Sequence, residues 1–230
     1  MAKLRSISMI LSNRELRRAV PVLIAVIVLS GCSDLGGGDA ASLIGLAKNI
    51  WGGTGRTVTL EQAAAVPYAS MGIRVGDGPE AMIILAGDSG GQRLWTSSAG
   101  VAITTSGGGR IVRTAGFAQN LGGYERRDDR LGKDGVWTIR WQADFPDLNL
   151  YSVPITCQDR PAADETIVIL GKNIHTRRID ESCVSQSDSL DWSFTNTYWL
   201  DPSSGLVWRS IQHVHPGFDA IEAEILRPPG

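Results

Sequence analysis

The chain has 230 residues, 43% of them hydrophobic, with 22 Lys and Arg against 24 Asp and Glu and a formal net charge of −2. That balance, without a basic cluster in the body of the chain, excludes a nucleic-acid surface and adhesion to anionic lipid by charge. The length suffices for one sizeable core, so a single domain is expected behind the N-terminal segment.

Residues 1–31 read as an export signal. Lys3, Arg5, Arg14, Arg17 and Arg18 form a basic region, and the apolar run AVPVLIAVIVL follows, interrupted by Pro21. Eleven such residues are too few to span a bilayer, which takes about 20. The run ends in Leu-Ser-Gly-Cys, which resembles the bacterial lipobox, so Cys32 is the expected lipidation site. It would carry a diacylglycerol with palmitate-type chains and become the first mature residue. Ser33 rather than aspartate follows, which by the rule for enteric lipoproteins points to the outer membrane and a periplasm-facing body. Processing leaves 17 basic against 23 acidic residues, so membrane attachment rests on the acyl chains.

Residues 32–56 read as a lipidated tether with the flexible stretch SDLGGGD and a short amphipathic helix over ASLIGLAKNIW. Residues 57–230 read as the periplasmic β-domain. It opens with a second short helix over TLEQAAAVP, with Thr59 as N-cap, Gln62 three residues on and Pro67 as a stop. Eleven short runs follow, from YASMGIRV to AIEAEIL, separated by turn sequences such as SGGGR, KDG and DPSSG. The fold class expected is mainly β: a curved antiparallel sheet forming a sandwich or partial barrel, with one or two short N-terminal helices. ERRDDR at 125–130 is read as a solvated loop. With Cys32 lipidated, Cys157 and Cys183 remain as an even pair in an oxidising compartment, and a disulfide is expected between them.

GDSGG at 87–91 matches two serine-hydrolase patterns letter for letter. However, His175, His213 and His215 all follow Ser89, and QRLWTSS after it is a strand rather than the helix a nucleophile elbow needs. The stretch is therefore expected to be a hairpin turn. His213 and His215 share a strand face, as metal ligands can, with Asp219 or His175 as further donors, but no metal is expected. Trp137, Ile139 and Trp141 share a face; Trp199 and Trp208 lie in the following strands. These tryptophans are read as core, with a sugar-stacking surface as the alternative.

The runs VPYASMGIRVGDGPEAMIILA, LWTSSAGVAITTSGGGRIVRTAGF and WSFTNTYWLDPSSGLVWRSIQHVHPG resemble, in that order, the YjbF/GfcB family of bacterial outer-membrane lipoproteins. The matching positions are Pro67, Tyr68, Ala69, Ser70, Gly109, Arg110, Arg113, Gly116, Trp199, Gly205 and Gln212. The resemblance implies a role in exopolysaccharide or group 4 capsule export, with the export machinery or the polysaccharide as partner. It brings no catalytic residues and no cofactor beyond the lipid on Cys32. Arg110, Arg113 and Trp141 are the candidate contacts for glycan or partner. A non-enzymatic export lipoprotein is thus expected; the alternatives are a lipid or lipoprotein carrier with an apolar cavity, and a hydrolase.

Overall fold

Strands of this domain form because alternate residues find an apolar interior, and turns form where Gly, Asp and Asn break the alternation. The computed structural model describes residues 57–230; the export signal, Cys32, the tether and the first expected helix lie outside them. Among the described residues one α-helix, α1 (Leu60–Ala65), precedes twelve strands. The first five are β1 (Ser70–Val75), β2 (Ala81–Ser89), β3 (Gln92–Thr96), β4 (Ala102–Ser106) and β5 (Ile111–Ala115). Then come β6 (Gly123–Leu131), β7 (Trp137–Phe145), β8 (Leu150–Ile169), β9 (Lys172–Ser187), β10 (Leu190–Leu200), β11 (Val207–Gln212) and β12 (Ile221–Arg227).

All twelve belong to one antiparallel sheet in the order β5-β4-β3-β2-β1-β12-β11-β10-β9-β8-β7-β6. Every neighbour is a hairpin partner except β1 and β12, which join the two ends of the meander. The sheet curls until β5 and β6 approach, giving a barrel that is nearly closed. At that seam the Thr114 N–H donates to the Leu121 carbonyl at 3.0 Å, and the Leu121 N–H to the Thr114 hydroxyl at 2.8 Å.

The interior is filled. Ile73, Ile83, Trp95, Ile103, Ile139, Trp141, Phe145, Ile155 and Ile221 form one apolar cluster, with Trp192 and Phe194 packed against it. A twelve-stranded wall encloses more width than eight strands do, and large rings take up that width. Trp95 is buried with its indole N–H on the Thr105 hydroxyl at 3.0 Å.

The outer face is partly covered as well. α1 lays Ala63 against Met82, with Val58 and Val66 on either side. Its N-terminus is the expected capping box: the Gln62 backbone N–H donates to the Thr59 hydroxyl at 3.2 Å and the Thr59 N–H to the Gln62 side-chain Oε1 at 2.8 Å. Beyond a bulge between Pro161 and Asp164, the far part of the β8–β9 hairpin packs Ile167 and Ile169 on Trp199.

Three expectations change. ERRDDR is not a loop but the middle of β6, the strand at the seam, which is exposed from Glu125 to Leu131. YSVPIT and ETIVIL are not two strands but parts of β8, with Pro161 tolerated at the bulge. β9, whose run KNIHTRRIDESCVSQS offers little apolar alternation, is a strand that sequence patterning passes over.

GDSGG closes the β2–β3 hairpin: Ser89 pairs with Gln92, and Gly90 and Gly91 take φ of 60° and 74°. Two consecutive left-handed residues are what a tight hairpin of this twist requires. Ser89→Ala is expected to leave thermal stability unchanged. Gly90→Val or Gly91→Val should each cost about 1–2 kcal/mol, since Cβ disfavours positive φ. A melting-temperature drop for Ser89→Ala as large as for the glycine variants would contradict this.

Candidate functional site

A row of residues directly opposite one another crosses the inner wall from β7 to β10: Trp137 faces Asp159, Asp159 faces Glu181, and Glu181 faces Asn196. Trp137 is 42% exposed at one end, whereas Glu181 and Asn196 are buried. Arg110, just before β5, reaches into this row and ion-pairs with Glu181. Its guanidinium lies 4.4 Å from the centre of the Trp141 ring, 5.3 Å from Tyr124 and 5.5 Å from Tyr198.

The rest of the cluster satisfies this buried charge. Asn196 Nδ2 donates to Glu181 Oε2 at 2.9 Å, and the Tyr198 hydroxyl lies 3.5 Å from the same oxygen and 3.3 Å from Gln212 Oε1. Gln212 also clips the backbone flanking Arg110, accepting from the Ile111 N–H at 2.9 Å and donating to the Gly109 carbonyl at 3.0 Å. Gly109 has φ of 75°, and a Cβ there would lie 2.7 Å from the Val207 Cβ. Gly109, Arg110 and Gln212, three of the matching positions named above, thus fasten the β5 side of the seam to the barrel interior.

The disulfide lies in the same wall. Cys157 and Cys183 are directly opposite on β8 and β9 and are bonded, as expected, with the Tyr124 hydroxyl 3.7 Å from Cys157 Sγ. Among the described residues, these two cysteines and Glu181 are the one group close enough to hold a metal, and disulfide sulfurs offer no thiolate for it.

The two acids of the row titrate in opposite directions. Burial pushes the Glu181 carboxyl up, but the Arg110 charge and hydrogen bonds from Arg110 and Asn196 bring it below its usual value. Burial, then the Glu181 charge, pushes Asp159 up from 3.8 to about 6, against the opposing pull of Arg110 and Arg126. Asp159 Oδ1 is buried and has no donor facing it.

A carboxyl that holds its proton more tightly when folded stabilises the fold fully below its unfolded pKa. That contribution is lost as the pH rises through its folded pKa. The Asp159 contribution therefore fades between pH about 4 and about 6. Asp159→Asn should raise the urea midpoint relative to wild type at pH 8, with the gain shrinking towards pH 3.5. A difference that does not vary with pH would exclude this role.

The other expected residues fall as follows. Arg110 and Trp141 are buried inside the barrel, so neither presents a face on the surface; Arg113, on the opposite side of β5, is exposed. Ser89 is exposed in its turn. His215 is buried, accepts the Gly217 N–H on Nδ1 at 3.1 Å and so donates from Nε2 to Asp147 at 3.1 Å. None of these bonds leads to Ser89. Of the tryptophans among the described residues, Trp95, Trp141 and Trp199 are buried, Trp192 and Trp208 are half-buried, and Trp137 is exposed. Glu181, Asn196, Asp159, Tyr124 and Tyr198 carried no sequence signal, because polar residues facing inward look the same as polar residues facing water.

Two internal cavities, one beside Arg110 and Phe194 and one beside Trp95 and Val207, measure about 10 and about 30 Å³. A carrier of lipid needs several hundred Å³ of apolar space, so the filled interior argues against that alternative. A larger opening, about 430 Å³, lies on the outer face between α1, the tip of the β8–β9 hairpin and strands β1, β11 and β12. Leu60, Val168, Leu170 and Leu226 line it together with a charged floor. On that floor Arg74 Nη1 meets Glu222 at 2.9 Å, Arg209 pairs with Glu224, and Glu80 accepts the Val58 N–H at 2.7 Å. Burial raises the pKa of both Glu80 and Glu224.

A family model described as group 4 capsule polysaccharide lipoprotein gfcB, YjbF, matches residues 45–226. The chain is 28% identical over 181 residues to the uncharacterized lipoprotein GfcB of Escherichia coli K12, covering 75% of this chain and 82% of that protein. Among solved structures it is similar to the hypothetical lipoprotein YmcC of Escherichia coli K12. The TM-score is 0.62 at 23% identity, over 83% of this chain and 95% of YmcC, a likeness of fold.

Proposed function

This chain belongs to the YjbF/GfcB family of group 4 capsule polysaccharide lipoproteins, and on that footing we propose that it is a non-enzymatic outer-membrane lipoprotein assisting the export or assembly of capsule or exopolysaccharide. The observation that carries the reading is the match of residues 45–226, which takes in the whole β-domain up to the last strand. The filled barrel supports it, as does the place of Ser89 in a hairpin turn, with His215 bonded instead to Gly217 and Asp147.

In this reading Cys32 carries the acyl chains, the β-domain faces the periplasm, and the outer cleft around Arg74, Arg209 and Glu222 meets the export machinery or the glycan. Cys32→Ser should leave soluble, unacylated precursor; continued fractionation with the outer membrane would overturn the anchoring. Deleting the gene should reduce surface polysaccharide, and restoring it with Arg209→Glu should not recover the wild-type amount. Unchanged surface polysaccharide in the deletion strain would overturn the process.

A further inference from the structure

The charged strand at the seam has a pattern that the export reading does not use. β6 pairs with β7 on one side; on the other β5 approaches it, but among the described residues no strand ladder joins the two, and the Thr114–Leu121 backbone bond lies just before β6 begins. Residues 125–131 are all exposed there. A free strand edge is a template for another strand, and proteins commonly blunt it with like charges that repel a second copy. Glu125-Arg126-Arg127-Asp128-Asp129-Arg130 does the reverse.

Set antiparallel to itself about a centre between Arg127 and Asp128, the segment places Glu125 opposite Arg130, Arg126 opposite Asp129, and Arg127 opposite Asp128. All three pairs are of opposite sign. Moving the centre by half a residue or a whole one either way brings Arg against Arg, Asp against Asp or Glu against Asp. A parallel in-register alignment stacks every charge on its like.

The side chains of each pair must also lie on the same face of the sheet. In a regular strand Glu125 and Arg130, five apart, would point to opposite faces. The ladder with β7 is irregular between Arg126 and Asp128, and this bulge corrects the phase. Glu125 faces Gln142, Asp128 faces Arg140 and Arg130 faces Thr138, all on the outer side; Arg126 faces Trp141 and Asp129 faces Ile139, both on the inner side. Arg127 reaches Gln142 and Glu125 on the outer side. Every complementary pair therefore shares a face, and it does so because of the bulge.

We propose that two copies of this chain associate edge to edge through β6, antiparallel and two-fold symmetric about the Arg127–Asp128 step. Such an isologous contact closes on itself as a dimer. Backbone hydrogen bonds between the two edges supply the attachment, and the six opposite-charge pairs select the register. Within one copy these charges are paired with neighbours, Arg126 with Asp129 at 2.5 Å and Arg140 with Asp128 at 2.8 Å, but on exposed side chains where exchange of partner costs little.

The test uses the full-length protein in its own membranes, expressed as two differently tagged copies. Arg126→Cys in one and Asp129→Cys in the other place the thiols directly opposite, about 5 Å apart at Cα and within disulfide reach. Arg126→Cys in both copies leaves them about 10 Å apart along the strand. Mild oxidation should give a mixed-tag band on a non-reducing gel at least tenfold stronger for the first pairing. No band, or equal bands, would overturn the register.

Charge exchange gives a second reading, by sedimentation velocity of the acylated protein in detergent. Arg126→Asp with Arg127→Asp should convert a dimer to a monomer. Adding Asp128→Arg and Asp129→Arg, which makes the segment self-complementary again, should restore the dimer. A wild-type monomer, or a four-residue variant that stays monomeric, would overturn the proposal.

Discussion

Replacing Arg110 with methionine is expected to destabilise the β-domain by about 3–5 kcal/mol, the usual cost of removing one partner of a buried ion pair. Glu181 would be left inside the barrel with Asn196 and Tyr198 as its remaining donors, and the stacked rings of Trp141 and Tyr124 would lose the cation beside them. The seam would suffer too, because Arg110 joins the start of β5 to β9 across the interior. Urea unfolding followed by tryptophan fluorescence reads the change, a lower midpoint at unchanged slope marking lost stability. Arg110→Met with Glu181→Leu should recover most of it, since an apolar pair of similar volume often serves as well as a buried salt bridge. A single variant within about 1 kcal/mol of wild type would show that Arg110 is not a clasp.

Removing the disulfide with Cys157→Ala and Cys183→Ala should cost about 3–4 kcal/mol, the chain-entropy value for a loop of this size. The closed loop is the far part of the β8–β9 hairpin, 26 residues from one cysteine to the other, including the segment that packs on Trp199. Without the bond, bringing that segment back over the outer face costs more chain entropy. The check is a urea curve with and without reducing agent. Wild type should shift on reduction and the double alanine variant should not; a shift below about 1 kcal/mol would contradict the estimate. Because Cys183 and Glu181 face the same interior two residues apart, the Arg110 and cysteine variants should combine non-additively.

Much of the fold was legible where local chemistry decides the outcome. Thr59 and Gln62 spell a capping box and form one. Gly90 and Gly91 ask for left-handed backbone and adopt it. Elsewhere the signal was missing for physical reasons. From Glu125 onward β6 is solvated on both faces, so its charges carry no period of two that would distinguish it from a loop. β9 turns Glu181, Cys183 and Ser185 inward, so its buried face is not apolar. Pro161 reads as a strand break unless the bulge that accommodates it is known. Arg110 and Trp141 read from the sequence as surface contacts, whereas their place is inside the barrel.

The sequence by itself determined the class of the domain, the hairpins, the short helix, the cysteine pair and the family resemblance. All of these are set by neighbours in the chain or by residue type. Only the tertiary structure decided that the meander curls until β5 meets β6, that Arg110 closes on Glu181 across the interior, and that Trp137 is exposed while Trp141 is buried. These outcomes depend on which distant strands become neighbours. A polar residue has the same identity whether it faces water or a buried partner, and its partner is chosen by the closure of the sheet.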